Sequence, residues 1–166
     1  MEQLNTTNGL TRVSDEGKEV IIETIQYIVI GLGAEQYGID IRYIDNIVRM
    51  QNITRVPKVA PYIKGVINLR GEVIPVMSLR LKMGLAEDEI TRATRIIILK
   101  LEQQGNVGII VDEVKEVVSL ATNEIEKISY DTTDGKANFI NGVGRHNGDL
   151  ISLLDLSSVT LEDNAQ

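Results

Sequence analysis

The sequence predicts a mainly β protein in which one small unit is used twice, and three observations carry that reading. Ile63-Lys64-Gly65-Val66, running through Gly71-Glu72-Val73-Ile74 to Leu79, returns at a constant offset of 77 (140 − 63). Its second copy is Ile140-Asn141-Gly142-Val143, through Gly148-Asp149-Leu150-Ile151, to Leu156. Upstream, Gly38-Ile39-Asp40-Ile41 followed by Ile44, Ile47 and Val48 returns at an offset of 70 (108 − 38) as Gly108-Ile109-Ile110-Val111 followed by Val114, Val117 and Val118. Two ordered blocks with glycines in register point to internal duplication. Short β-branched stretches between glycine turns then indicate small barrels rather than a parallel α/β sheet.

In chain order, residues 1–18 are polar and read as a mobile tail. Val20 to Ile30 is rich in β-branched residues and reads as a strand. Gly31 to Glu35 turns the chain, and Glu35 to Ile41 is the return strand. Ile41, Ile44, Ile47 and Val48 fall at helical spacing, which predicts one or two helical turns. Ile53 to Val56 is a short strand ended by Pro57. Tyr62 to Leu69 and Glu72 to Leu79 form a hairpin around Arg70-Gly71, and Leu79 to Gly84 is a helical turn closed by glycine. Residues 85–93 are a solvated connector.

The second half retraces this path. Thr94 to Leu101 and Val107 to Val111 are strands around a turn at Gln103 to Asn106. Val114, Val117 and Val118 continue either at helical spacing or as a bent strand, which their β-branching equally allows. Asp131 to Gly135 is a loop. Asn138 to Gly144 and Asp149 to Leu154 form a hairpin whose turn carries Asn147-Gly148, a strong hairpin signal. Leu153 to Leu161 ends as a short helix.

Composition narrows the function. With 43% hydrophobic residues and 25% charged ones, a chain of 166 residues can fill a core without unusual surface stickiness. No apolar run reaches the ~18 residues that span a bilayer, and Met1 to Val13 has no signal-peptide core. The absence of cysteine removes disulfides and thiol chemistry and fits a reducing compartment. A net charge of −7, one Phe and no Trp argue against nucleic acid as a ligand, since backbone attraction and base stacking are both lacking.

Catalytic signatures are missing as well. His146, the one histidine, lies in a His-Asn-Gly turn and reads as a solvated surface residue. No serine sits in a nucleophile elbow, and no metal-ligand spacing occurs. Gly31, Gly33 and Gly38 lack the phosphate-loop spacing and its Lys-Ser/Thr ending. Two rival classes have clear requirements. A nucleic-acid-binding barrel needs a basic stripe with aromatics, and a small β-barrel hydrolase needs Ser78 or Ser152 beside a base and an oxyanion pocket.

Comparing the two copies separates scaffold from function. Gly65 and Gly142, like Gly71 and Gly148, occur in both and serve backbone geometry. Asn68-Leu69-Arg70 and Pro75 belong to the first copy alone. Pro75 cannot donate to a ladder and marks an edge or bulge near an open surface, and arginine is enriched where proteins dock.

The stretch IKGVINLRGEVIPVMSLRLKMGL closely resembles the signature of the CheW family of bacterial chemotaxis coupling proteins. The likeness continues in YGIDIRYIDNI, GIIVDEVKEVVSL and FINGVGRHNGDLISLLDL, over about residues 19–158. It implies two SH3-like five-stranded β-barrel lobes on a shared hydrophobic core, at approximately 19–84 and 94–158, with strand exchange between them left open. Tails would occupy 1–18 and 159–166. The resemblance further implies a non-enzymatic, cytoplasmic adaptor without cofactors, recruited to membrane receptor arrays. Its partners would be the regulatory domain of the histidine kinase CheA and the cytoplasmic tips of methyl-accepting chemotaxis receptors; a scaffold in another chemosensory pathway is the alternative. The family's partner-binding positions fall here on Ile44, Asn46, Lys64, Gly65, Val66, Asn68, Leu69, Arg70 and Val73. Many members carry glutamate where this chain has Asn46, which puts any charged pairing of that position with Arg70 in question.

Overall fold

The computed structural model describes residues 5–7, 10–15, 18–102, 104–128 and 139–160. Strands β1 (Asn5–Thr7) and β2 (Leu10–Asp15) precede the long β3 (Lys18–Leu32), which forms a hairpin with β4 (Glu35–Asp40). A single 3-10 turn at Ile41–Tyr43 leads into β5 (Ile44–Arg49). The hairpin β6 (Ile63–Leu69) and β7 (Glu72–Ser78) runs into helix α1 (Leu79–Lys82). A third hairpin, β8 (Arg95–Leu101) and β9 (Gly105–Val111), is followed by β10 (Glu113–Ala121) and the short β11 (Glu126–Lys127). The fourth hairpin, β12 (Ile140–His146) and β13 (Asp149–Leu154), runs into helix α2 (Leu156–Thr160).

Two sheets of the same plan result. One has the order β5-β8-β9-β7-β6; the other runs β10-β3-β4-β13-β12, with β11 beyond β12 and β2 continuing the free part of β3. Each sheet therefore takes one hairpin from the opposite half of the sequence. The lobes do not coincide with the segments 19–84 and 94–158: β3–β4 and β8–β9 have changed places. The repeat offsets mark the exchange. β4 lies parallel to β13 with Gly38 opposite Leu153, and β9 lies parallel to β7 with Gly108 opposite Val76. A Cβ at Gly38 would come within 2.8 Å of a Leu153 methyl, and one at Gly108 within 2.9 Å of an Ile96 methyl. Both close approaches need glycine.

The expected helical turns around Ile41, Ile44, Ile47 and Val48 give way to β5 after one 3-10 turn, and the stretch from Val114 is the bent strand β10. Both strands skip one residue of register at the same repeat position, between Ile44 and Asn46 and between Val114 and Glu116. Such bulges shift the apolar alternation by one residue, which imitates helical spacing. The expected strand at Ile53 to Val56 reduces to a single bridge from Thr54 to Val66. Polar residues read as a tail instead pair as β1 and β2, because a backbone ladder does not require apolar side chains. Val159 and Thr160, assigned to a C-terminal tail, are buried in α2. The Asp131 to Gly135 loop lies outside the described residues, as does Leu161.

The largest apolar cluster lies between the sheets. Ile28, Ile30, Leu32, Tyr37 and Ile39 from one sheet meet Met77, Ile97, Leu99, Ile109 and Val111 from the other, with α1 and α2 supplying Leu79, Leu156 and Val159. Each lobe encloses only a small core of its own, Val29, Leu120 and Ile151 on one side and Ile67, Ile74 and Ile98 on the other. Since ~70-residue domains are marginal on their own core, the shared layer dominates burial.

One polar clamp spans the joint. Arg80 on α1 donates to both carboxylate oxygens of Asp112 at 2.7 Å, and the Gly33 amide of the β3–β4 turn donates to the same carboxylate at 2.8 Å. Asp112 is the one residue between β9 and β10, where the chain crosses from lobe to lobe. Hydrogen bonds from Arg80 hold its carboxyl below the ordinary 3.8; burial opposes this, and the Gly33 bond adds to it. A depressed folded-state value means that the clamp's stability is present above 3.8 and lost as pH falls through the lower value. Denaturant unfolding of wild type and Asp112→Asn from neutral pH downward should show a gap that is constant near neutrality and closes below about pH 4. Parallel curves down to acid unfolding would show that the carboxylate contributes nothing pH-linked.

Candidate protein-binding site

The hairpin β6–β7 presents its outer face at the margin of the first lobe. Val66 lies opposite Pro75 and Asn68 opposite Val73, so these four residues share a face. Pro75 is exposed and Val73 is 64% exposed, while the intervening Ile67 and Ile74 point into the barrel and are buried. The parallel ladder from β9 begins only at Val76. Glu72 to Pro75 therefore has β6 on one side and no ladder on the other, the open edge that Pro75 implies.

At the tip, Arg70 and Gly71 form a two-residue turn with φ of +54° and +83°, and Asn147 and Gly148 repeat it at +51° and +83°. Asparagine tolerates the left-handed region, whereas a longer side chain there costs on the order of 1 kcal/mol. The second copy thus uses the residue the turn favours, and the first copy carries Arg70 against that preference. Arg70 is exposed and, among the described residues, makes no hydrogen bond or ion pair. The Asn68 side chain accepts from the Gly71 amide at 3.1 Å and braces the turn from within.

The remaining expected site residues divide by what holds them. Gly65 has φ +140°, and a Cβ there would sit 2.0 Å from the Thr54 carbonyl oxygen. It is bare because Thr54 and Val66 exchange two backbone hydrogen bonds of 2.8 Å, which join the segment after β5 to β6. Leu69 packs on the first lobe's core. Lys64 forms an ion pair with Glu87 of the connector. Ile44 packs against the shared core, and the Asn46 side chain accepts from the Ile47 amide at 2.9 Å. Ile44 and Asn46 lie on β5, at the opposite edge of the sheet order from β6. No hydrogen bond or ion pair joins Asn46 to Arg70 among the described residues. Two partners escaped the sequence reading, Thr54 and Glu87, because each acts across a loop that no local pattern closes.

A cleft of about 710 Å³ runs between the lobes, lined among others by Tyr27, Asp40, Arg42, Leu101, Asp155 and Leu156. Its polar wall includes the Asp40–Arg42 ion pair at 2.7 Å. Of the two serines that a hydrolase could use, Ser152 lies within β13 and Ser78 is differently employed. Ser78 is fully buried; its hydroxyl donates to Asp88 at 2.5 Å and accepts from the Leu81 amide, capping α1. His146 lies 3.9 Å from Glu116 at the surface. Among the described residues no cluster of metal-ligating side chains occurs, and no helix is long and apolar enough to cross a membrane.

Comparison with known proteins identifies the architecture. Residues 26–163 match the CheW-like domain. The chain is 37% identical over 139 residues to the chemotaxis protein CheW of Bacillus subtilis, covering 84% of this chain and 88% of that one. It is 33% identical over 141 residues to CheW of Helicobacter pylori, covering 85% and 84%. The crystal structure of the scaffolding protein TtCheW from Thermoanaerobacter tengcongensis superposes with a TM-score of 0.72 at 33% identity, over 79% of this chain and 88% of that one. Two five-stranded lobes, a hairpin edge ending in Asn68-Leu69-Arg70 and these matches along most of the chain place the protein in the CheW-like family.

Proposed function

We propose that the protein is a non-catalytic adaptor of bacterial chemotaxis, coupling the cytoplasmic tips of chemoreceptors to the regulatory domain of the histidine kinase CheA. The observation that carries this reading is Arg70, an arginine unpaired among the described residues and held at φ +54° on an exposed hairpin edge where the sister turn uses asparagine. A conformational cost borne at one copy and avoided at the other is expected where a side chain serves a partner. The apolar face formed by Val66, Val73 and Pro75 beside it suits a protein surface, with Lys64, Asn68 and Leu69 at its borders. Gly65 would act by allowing the close approach of Thr54, and Ile44 and Asn46 by shaping the β5 edge.

The inter-lobe cleft suits one helix of a receptor bundle, since an apolar stripe can enter between Leu101 and Leu156 while polar residues meet Arg42 and Asp40. An adaptor transmits a signal only if its bound states differ in energy with the receptor's state. Burial of Ser78 at the cap of α1 supports a role without catalysis, and the family's scaffolding member supports assembly as the activity. The site of action is then the cytoplasmic face of receptor arrays, reached through the receptors rather than by insertion into the membrane.

Pull-downs with a receptor tip fragment and with the kinase's regulatory domain, each tested alone, decide the matter. Arg70→Ala should change stability by no more than ~0.5 kcal/mol and weaken one of the two interactions by about 2 kcal/mol. Arg145→Ala, in the equivalent turn region of the other lobe on the strand that leads into Asn147-Gly148, should be silent in both assays. Asn68→Ala should instead lower stability by ~1 kcal/mol, because the turn loses its brace. Binding unchanged in Arg70→Ala, or unfolding caused by it, would refute the assignment.

A further inference from the structure

A second surface of the first lobe has a different chemistry. Residues 41–71 contain Arg42, Arg49, Arg55, Lys58, Lys64 and Arg70 against the single acid Asp45, a net +5 (6 − 1) within a chain of −7. Arg42 is neutralised by Asp40 and Lys64 by Glu87. Arg55 and Lys58 are exposed and, among the described residues, make no hydrogen bond or ion pair. Between and beside them stand Val56 and Val59, 39% and 37% exposed. These residues line a cleft of about 430 Å³ that reaches Ile63 and Lys64.

The segment is built to hold its side chains outward. Pro57 and Pro61 restrict its backbone, so little ordering entropy would be lost on binding. Lys58 follows Pro57 with φ +59°, a turn position where glycine or asparagine is usual. The segment is anchored where Thr54 bonds Val66. Two cations flanking two exposed valines, on a molecule otherwise acidic, select a ligand that is both negatively charged and apolar. A membrane surface fits poorly: polybasic lipid-binding segments use about 4–8 clustered cations, and the rest of this chain would be repelled.

We infer that residues 55–61 form a docking surface for an acidic, amphipathic peptide segment of a partner protein, whose carboxylates meet Arg55 and Lys58 while its apolar side chains seat on Val56 and Val59. This surface adjoins the Arg70 edge at Lys64 but uses different side chains, and it stands whether or not that edge binds receptor or kinase.

Panning a displayed library of random short peptides against the full chain tests it. Enriched peptides should place Asp or Glu beside Val, Ile or Leu. Their affinity should fall about 10-fold in Arg55→Glu/Lys58→Glu and again on raising salt, because exposed pairs are screened. It should fall similarly in Val56→Ser/Val59→Ser and stay unchanged in Arg70→Ala, with thermal unfolding of each variant confirming the fold. Enrichment of basic or uncharged peptides, or acidic ones indifferent to both double variants, would overturn the proposal. Loss in Arg70→Ala would place the site elsewhere. Retention of the chain on phosphatidylserine vesicles, lost in Arg55→Glu/Lys58→Glu, would replace the peptide with a membrane and equally overturn it.

Discussion

The apolar layer between the two sheets is the constraint on which the rest of the structure depends. Ile30, Leu32 and Ile39 of one sheet are buried in one cluster with Ile97, Leu99 and Ile109 of the other. Because β3–β4 and β8–β9 are exchanged, each lobe is completed by a hairpin from the other half of the chain. The β6–β7 edge inherits its rigidity from this arrangement. β7 is fixed on its inner side by β9, a strand that arrives from the second half. The Arg80–Asp112–Gly33 clamp then ties the helix after β7 to the crossover and to the β3–β4 turn. A hairpin so held offers its outer face with little freedom left to lose on binding, which is what preorganisation requires.

Much of the fold was legible because local patterns coincide with their structural causes. The turns Arg70-Gly71 and Asn147-Gly148 both adopt the left-handed pair that a tight hairpin demands. Ser78 and Asp155 cap α1 and α2 at positions one repeat apart, as the Leu79 and Leu156 match implies. Legibility failed where register mattered. The bulges after Ile44 and Val114 displaced the apolar period and made strands resemble helices. The exchange itself left only an indirect trace, the change of offset from 70 to 77 between blocks. Which strand accepts a hairpin is decided by the inter-sheet core, and no window of sequence contains that information.

The site was legible to the extent that two copies of one unit differ. Subtraction isolated Asn68-Leu69-Arg70 and Pro75, and the structure sets Pro75 and Arg70 on an open, exposed edge. It could not separate Arg70, which faces solvent, from Asn68, whose side chain is spent on the turn. Nor could it show that Gly65 is bare because Thr54 approaches it, a contact made across an intervening segment. The same segment carries the exposed cations Arg55 and Lys58, which lie between the two repeated blocks and so fall outside that comparison.

The central claim is that the exchanged hairpins and the shared core make one cooperative unit. It is tested most directly by dividing the chain in the 85–93 connector and producing residues 1–88 and 89–166 separately and together. The account predicts that neither half alone gives a sharp unfolding transition, since each holds a hairpin whose sheet lies in the other. Mixed, the halves should regain one cooperative transition. Sharp, independent unfolding of either half on its own would contradict it.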